Sequence, residues 1–140
     1  MKFRILLAAC TALAVAAPAA AQEGMPQARK VFPFGAQWLA VSLNGKRYDM
    51  NDRPALNIDS QMRARGFGGC NTFSATSYPL NQQRFAVGPI ALTKKACTPA
   101  LMELEREFLV ALRTAQQWDL SEGALILRGQ AGELRFERTF

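Results

Sequence analysis

The 140-residue sequence contains no histidine. This absence excludes Ser-His-Asp and Cys-His catalytic sets, histidine ligands for zinc and an imidazole pH switch. Charged residues make up only 20% of the chain, and the basic ones are scattered rather than gathered in a dense stripe. A nucleic-acid partner is therefore not expected. The sequence also carries no cofactor or metal motif, and we expect a protein that is not an enzyme.

Long apolar runs are confined to the N-terminus. Lys2 and Arg4 precede an apolar stretch, and the three alanines at 19–21 form an A-x-A cleavage site. This pattern predicts a signal peptide over residues 1–21, cleaved between Ala21 and Gln22. No second apolar stretch is long enough to span a bilayer, so the mature chain should lack a transmembrane segment. We expect it in the periplasm or secreted from the cell.

A competing interpretation concerns Cys10. Residues 7–10 read Leu-Ala-Ala-Cys and resemble a lipobox, which would attach a lipid to Cys10 and anchor the chain to a membrane. However, only five residues separate Arg4 from Cys10, and signal peptides usually carry an apolar region of about 7 to 15 residues. Cleavage after Ala21 therefore remains the favoured interpretation.

After cleavage, 140 − 21 = 119 residues remain, with a formal charge of (17 − 2) − 11 = +4. A chain of this length forms one domain, and we expect a monomer. Residues 22–35 contain Gly24, Pro26, Pro33 and Gly35, and they show little periodicity. We interpret them as a flexible linker, with the folded domain at 36–140.

Two cysteines, Cys70 and Cys97, remain after cleavage. In an oxidising compartment the simplest arrangement is one disulfide between them. Two separate core thiols are the alternative. A metal site is disfavoured because no further cysteine or histidine completes a coordination shell, and the C-x-x-C motif typical of a redox pair is absent.

Alternation predicts short strands along most of the mature chain. A first strand at 38–43 places Leu39, Val41 and Leu43 on one face, and Asn44-Gly45 then predicts a hairpin. Later strands should bury Leu56 with Ile58, pair residues 74–78 with 84–87, and end in apolar hairpins after Trp118. Polar turns are expected at residues 50–54 and 80–83.

The segment Gly66-Phe67-Gly68-Gly69-Cys70-Asn71 suggests a phosphate-binding loop at first sight. The third glycine of G-x-G-x-x-G would fall on Asn71, and no strand-helix-strand repeat surrounds it. We therefore expect the glycines to mark a bulge, a bend or a close backbone approach.

One segment has helical periodicity. Thr98 is the expected N-cap and Pro99 the first helical residue. An apolar stripe follows at positions 101, 104, 108, 111, 112 and 115. Glu103, Glu105 and Glu107 are assigned to the solvated face, not to acid-base chemistry. The whole pattern predicts a mainly β fold, namely a small antiparallel β-barrel or strongly curled sheet with one α-helix near residues 98–115.

Several irregular elements coincide with a known family. Gly69-Cys70-Asn71-Thr72-Phe73, the run from Gly88 to Cys97 and the helical residues 101–112 occur in its order. From about residue 36 to 140 the chain resembles the META domain, also called the HslJ-like family. One departure is Lys95, where many members carry methionine.

This resemblance implies a β-barrel of roughly lipocalin-like topology with one helix, and it implies no established catalytic activity. It associates the chain with heat-shock or envelope stress, with drug tolerance in bacteria and with secretion or virulence in parasites. Cys70 and Cys97 carry over as bridge partners, and Asn71 carries over as a turn residue that bonds nearby backbone.

Our leading hypothesis is an exported, non-enzymatic binding module linked to envelope stress or drug tolerance, which binds an envelope protein or a small apolar ligand. The alternative is an inhibitor of an exported protease or lysozyme that presents the turn at 50–54 or at 80–83. A carboxylate enzyme using Asp49, Asp52 and Asp59 is disfavoured, because turns and strand ends account for all three. Trp38 and Trp118 are expected in the core, not as sugar-stacking platforms.

Overall fold

The computed structural model describes residues 28–140. The predicted signal peptide, its cleavage site between Ala21 and Gln22, and Cys10 lie outside the described residues. The described part contains ten strands, one α-helix and a short 3-10 helix at Asn81–Gln83. None of its helices has the length and apolar character needed to cross a membrane. In chain order the elements are β1 (Gln37–Leu43), β2 (Lys46–Arg47), β3 (Ala55–Ile58), β4 (Arg63–Phe67), β5 (Thr72–Pro79), β6 (Phe85–Val87), β7 (Ala91–Leu92), α1 (Pro99–Arg113), β8 (Ala115–Ser121), β9 (Ala124–Gly129) and β10 (Gly132–Thr139).

Antiparallel pairing joins eight strands in the order β6-β5-β4-β3-β1-β10-β9-β8, while β2 and β7 add short pairings to β1 and β5. The two outermost strands approach each other, and an isolated bridge pairs Arg84, the residue before β6, with Gln117 of β8. The sheet therefore curls into a nearly closed barrel, which confirms the predicted fold class. We call the junction between β6 and β8 the seam.

The buried face of β1 differs from the prediction. Trp38 and Ala40 are buried, whereas Leu39 and Val41 are only half-buried. A register shift between Ala40 and Ser42 inserts one extra residue opposite β10. Because a bulge moves later side chains to the opposite face, Leu43 returns to the core side and packs against it. The prediction that Leu39 and Leu43 share one face was therefore wrong, because the bulge lies between them. Trp38 lies in the core as predicted.

Helix α1 begins as predicted. Thr98 is the N-cap, and its Oγ1 accepts a hydrogen bond from the Leu101 amide at 3.4 Å. Pro99 occupies the first turn, where a missing N–H costs nothing. Phe108 and Leu112 are fully buried, so this helix covers the barrel with its apolar stripe.

Side chains fill the barrel interior. Phe108 and Phe136 lie edge to face with ring centroids 6.3 Å apart. The largest fully buried apolar side chains come from the helix and from strands on both sides of the barrel; they are Leu56, Ile58, Phe108, Leu112, Leu125, Leu127, Leu134 and Phe136. Close packing of this kind stabilises a small barrel and leaves its centre occupied by protein.

Residues 28–34, which we call the strap, run across the outside of the seam. The sequence predicts a linker up to residue 35, yet Phe32 is only 6% exposed and belongs to the core cluster. Gly35 N–H donates to the Ile58 carbonyl at 2.8 Å and fixes the end of the strap. The apolar run Val31-Phe32-Pro33-Phe34 explains this attachment, because burying an aromatic ring favours an ordered segment.

Candidate functional site

A buried carboxylate joins the helix to the glycine-rich loop. Glu105 is 7% exposed. Its Oε2 accepts hydrogen bonds from the Cys70 amide at 3.1 Å and the Asn71 amide at 2.5 Å, and its Oε1 accepts one from Asn71 Nδ2 at 2.8 Å. Three donors therefore compensate the desolvation of one carboxylate. We call Glu105, Asn71 and the disulfide beside them the carboxylate node.

The assignment of Glu105 to the solvated face was wrong, although Glu103 and Glu107 are exposed as predicted. The reason is the glycine pair that faces the helix. A Cβ on Gly68 would lie 2.8 Å from Glu105 Cγ, and Gly69 adopts φ +120°. The loop can approach the helix only without side chains at these positions, which confirms the predicted close backbone approach.

Asn71 connects the same node to a third segment. Its Oδ1 accepts from the Lys95 amide at 2.7 Å and from Thr93 Oγ1 at 2.9 Å. A disulfide joins Cys70 to Cys97, with an S–S distance of 1.96 Å. Asn71 thus bonds backbone as the family resemblance implies, but that backbone lies 24 residues away in sequence. Every polar group named in the node has a partner, so the node acts as a structural clamp.

The three aspartates considered for carboxylate chemistry serve turns. Asp52 N–H donates to the Asp49 carbonyl at 3.1 Å. Asp59 accepts from the Arg63 amide at 2.9 Å and from Arg63 Nε at 2.8 Å. These bonds, the backbone bond foremost, hold the pKa of Asp59 below its usual value. Within residues 28–140, no three cysteine or acidic side chains form a group that could hold a metal ion.

The turn at 50–54 is anchored at its end. Pro54 is fully buried, and Arg53 Nε donates to the Ala40 carbonyl at 2.8 Å. Arg53 also forms an ion pair with Glu137 at 2.7 Å. The exposed part of the turn is at its start, where Met50 has 77% of its surface exposed and Asn51 is exposed beside it.

A concave surface lies at the seam, between the strap and the turn after β5. Its volume is about 780 Å³, within the range of small-molecule sites. We call it the seam groove. Trp118 of β8 lines it, together with residues 28–32, Phe34 and residues 79–83. Exposed apolar side chains border it at Val31, Phe34 and Leu80.

An ion pair closes one side of the seam groove. Lys30 Nζ lies 2.5 Å from Asp119 Oδ1 and also donates to the Leu120 carbonyl at 2.9 Å. Gln83 Nε2 reaches the same Asp119 oxygen at 2.8 Å. The hydrogen bond from Lys30 is the main reason that the pKa of Asp119 is lowered. Asp119 Oδ1 therefore accepts from Lys30, Gln83 and the Leu120 amide, while Oδ2 faces Arg128 at 3.9 Å.

Two features of the seam groove are unfavourable for the stability of the fold. Gln82 and Gln83 both have positive φ, 56° and 57°, in consecutive positions without glycine. Trp118 is 4% exposed, and its Nε1 is buried with no hydrogen-bond partner within residues 28–140. Backbone strain of this kind clusters at functional sites. A buried donor without a partner in the described residues calls for an explanation, and Tyr48 and Ser77 carry two more such groups away from the groove.

The sequence predicted only part of this groove. It indicated the turn at 80–83 and a buried Trp118, but it assigned Lys30 and Phe32 to a linker. The detectable signal was the apolar run Val31-Phe32-Pro33-Phe34, which is unusual in a linker. By contrast, the ion pair joins residues 89 positions apart, which no local pattern reveals.

The META domain model matches residues 31–139. The chain belongs to the META domain family. The match begins within the strap, so the family domain includes Phe32. Because the carboxylate node spans the G-C-N loop, the second cysteine and α1, it unites three elements of this META domain in space.

Two structures solved by NMR resemble this META domain. One, described only as a protein, is 25% identical with a TM-score of 0.60, over 73% of this chain and 87% of that chain. The other, a protein from Burkholderia xenovorans, is 20% identical with a TM-score of 0.62, over 81% of this chain and 96% of that chain. Their descriptions name no activity. A search of curated proteins found no match.

Proposed function

We propose that this META-domain protein is an exported, non-enzymatic binding module of the periplasm or the secreted fraction, linked to envelope stress or drug tolerance. Its partner, an envelope protein or a small apolar ligand, binds at the seam groove. The observation that carries this proposal is the contrast between a filled interior and an open seam groove with an unpaired Trp118 donor.

The packing of the barrel supports an external site. Leu56, Phe108 and Phe136 are each 0% exposed and occupy the space that a ligand carrier would keep free. The seam groove, in contrast, is bordered by Val31 at 77% exposure and Leu80 at 42% exposure. Exposed apolar residues around a concave surface are typical of interaction sites.

The disulfide supports export. Cys70 and Cys97 are bonded to each other, and such bonds persist mainly in oxidising compartments. Mass spectrometry of the protein from its own host would test the compartment. A chain beginning at Gln22 supports cleavage by signal peptidase, whereas an acylated Cys10 would place the protein at a membrane.

Site-specific photo-crosslinking in the host tests the binding proposal. A photoreactive phenylalanine analogue replaces Val31 or Leu80 at the seam groove, and Met50 serves as the matched exposed control because it does not line the groove. We expect one discrete adduct from Val31 and Leu80 that is absent from Met50. Equal adduct patterns from all three positions, or none from any, would contradict a site at the seam groove.

The alternative, inhibition of an exported protease or lysozyme, has one supporting observation. Gln83 Nε2 donates to the Trp118 carbonyl at 3.2 Å and to Asp119, so side-chain bonds hold the turn beside the groove. A fixed, exposed turn suits insertion into an enzyme cleft. Inhibition assays against host and self hydrolases separate the two functions, because a ligand-binding module leaves every hydrolase active.

A further inference from the structure

A second concave surface lies between β7 and helix α1, on residues that the seam groove does not use. Its volume is about 500 Å³, and we call it the edge groove. Strand β7 contributes Leu92, which is 42% exposed, and the helix contributes Met102, which is 51% exposed, together with the buried Leu109. Apolar side chains thus lie open to solvent on both sides of the edge groove, as is typical of interaction sites.

One edge of β7 is free to accept another strand. Among the described residues, β7 pairs with β5 and with no other strand. The Thr93 amide donates to the Thr72 carbonyl at 3.1 Å, so the peptide groups of Thr93 point towards β5. Because successive residues of a strand turn their N–H and C=O groups to opposite sides, those of Leu92 point away from β5. Leu92 lines the edge groove and therefore offers an extended segment one backbone donor and one backbone acceptor.

The register of the sheet specifies which side chains such a segment needs. Leu92 pairs with the buried Phe73, so these two residues belong to an inner row. Arg65 pairs with Ser74, and Ser74 pairs with Ala91; all three are exposed and form an outer row. A strand added to β7 continues both rows, because residues directly opposite each other share a face of the sheet. Its side chains should therefore alternate between apolar, on the inner row, and polar, on the outer row.

The charges around the edge groove favour acidic residues at the polar positions. Arg113 lines the groove and Arg65 lies in the outer row, and neither forms an ion pair within residues 28–140. Arg106 also lines the groove and is paired with Glu103 of its own helix. The acid of the lining, Glu105, is 7% exposed and accepts three hydrogen bonds from the glycine-rich loop. The exposed charge is therefore positive and complements an acidic partner.

We propose that the edge groove binds an extended peptide that alternates apolar and acidic side chains and pairs through its backbone with the free edge of β7. Its apolar side chains lie beside Leu92 and Met102, and the unpaired arginines attract its acidic ones. An anionic membrane would also suit the charge, but it would use neither the concave shape nor the free backbone groups. The edge groove shares no lining residue with the seam groove, so this inference stands apart from the proposed function.

A synthetic heptapeptide of alternating valine and glutamate is the probe, and exchange of backbone amides with solvent, followed by NMR, is the readout. The peptide should slow exchange of the Leu92 amide, because that amide becomes a hydrogen-bond donor to the peptide. Exchange at Asn51, an exposed turn residue outside the edge groove, should not change. A heptapeptide with lysine in place of glutamate should bind roughly tenfold more weakly.

Two pairs of variants separate the contributions of backbone and charge. Leu92→Pro removes the donor on the free edge and keeps the bonds to β5, so binding should weaken by roughly tenfold. Leu92→Ala keeps the amide and should weaken binding by about threefold through lost apolar contact. Arg113→Gln should weaken binding by about threefold at low salt. Arg138→Gln, an exposed cation outside the edge groove, should leave binding unchanged.

Four outcomes would overturn the proposal. The first is that neither peptide binds, and the second is that the lysine peptide binds as tightly as the glutamate peptide. The third is binding without slower exchange at Leu92, which would exclude backbone pairing. The fourth is binding to phosphatidylglycerol vesicles in place of the peptide, weakened by Arg113→Gln, which would assign this surface to a membrane. The exchange measurement uses the unaltered protein and therefore decides the question even if Leu92→Pro fails to fold.

Discussion

The carboxylate node and the residues lining the seam groove both include buried polar groups, but the two regions differ in whether those groups have hydrogen-bond partners. In the node, the two oxygens of Glu105 accept three hydrogen bonds and Asn71 bonds a third segment. In the groove, Trp118 Nε1–H has no partner in the described chain, and two adjacent glutamines have left-handed backbone. Fully satisfied networks rigidify a fold, whereas unpaired donors cost stability unless a ligand compensates them.

This contrast separates structure from function within one small domain. The node lies where the family resemblance is most specific, and yet it has no free group to offer a substrate. The groove lies over the seam, where an isolated bridge joins Arg84, just before β6, to Gln117 of β8. The most distinctive sequence motif of the chain is therefore its clamp, and the less distinctive strap forms the candidate site.

The largest expected effect is at Glu105. Glu105→Ala leaves two backbone amides and the Asn71 side chain without their acceptor, so we expect a loss of about 3 to 5 kcal/mol in the free energy of unfolding. Chemical denaturation measures it. Glu107→Ala, one exposed position on the same helix, is the matched control and should leave the midpoint unchanged. Similar midpoints for the two variants would mean that the node is not a clamp.

Removing the disulfide should have the next largest effect. Cys70→Ser with Cys97→Ser opens a loop with a sequence separation of 27, and chain entropy predicts a loss of about 3 to 4 kcal/mol. Because Cys70 adjoins the node, this loss and that of Glu105→Ala should not add. A double-mutant cycle measures the coupling; simple additivity would show that bridge and carboxylate act independently.

Phe32→Ala should cost less than a core substitution of the same type. We expect about 2 kcal/mol, near the transfer free energy of one phenylalanine, against about 3 to 5 kcal/mol for Phe136→Ala. The reason is that the strap can detach while the barrel stays folded. Thermal denaturation followed by far-ultraviolet circular dichroism compares the two variants. Equal losses would make the strap an integral part of the barrel.

The smallest effect concerns pH. The pKa of Asp119 is lowered in the folded state, chiefly by the hydrogen bond from Lys30. Its ionised form therefore stabilises the fold at pH values above the ordinary carboxyl pKa, and this stabilisation is lost as the pH falls through the folded pKa. Arg128, 3.9 Å away, is the other cation facing it. Below about pH 4 the strap should become more sensitive to pepsin cleavage. Asp119→Asn should abolish the pH dependence; an unchanged profile in that variant would contradict this link.

The sequence predicted the fold because its information is local and periodic. Asn44-Gly45 forms the β1–β2 turn, Thr98 caps α1, and Leu56 and Ile58 share the buried face. The errors come from interactions between distant segments. Glu105 is buried only because the loop at Gly68 packs against its helix, and Lys30 meets a carboxylate 89 residues away. The bulge in β1 likewise depends on its pairing with β10.

The pairing of β1 with β10 has a consequence for how the protein is made. Gln37 lies opposite Thr139, and Thr139 Oγ1 donates to the Gln37 carbonyl across 102 residues of sequence. A nascent chain cannot form this central pair of the sheet until β10 has left the ribosome. Because contacts of such long sequence separation slow folding, the closure of the sheet between β1 and β10 should be a late step, after the local hairpins and the helix can already form.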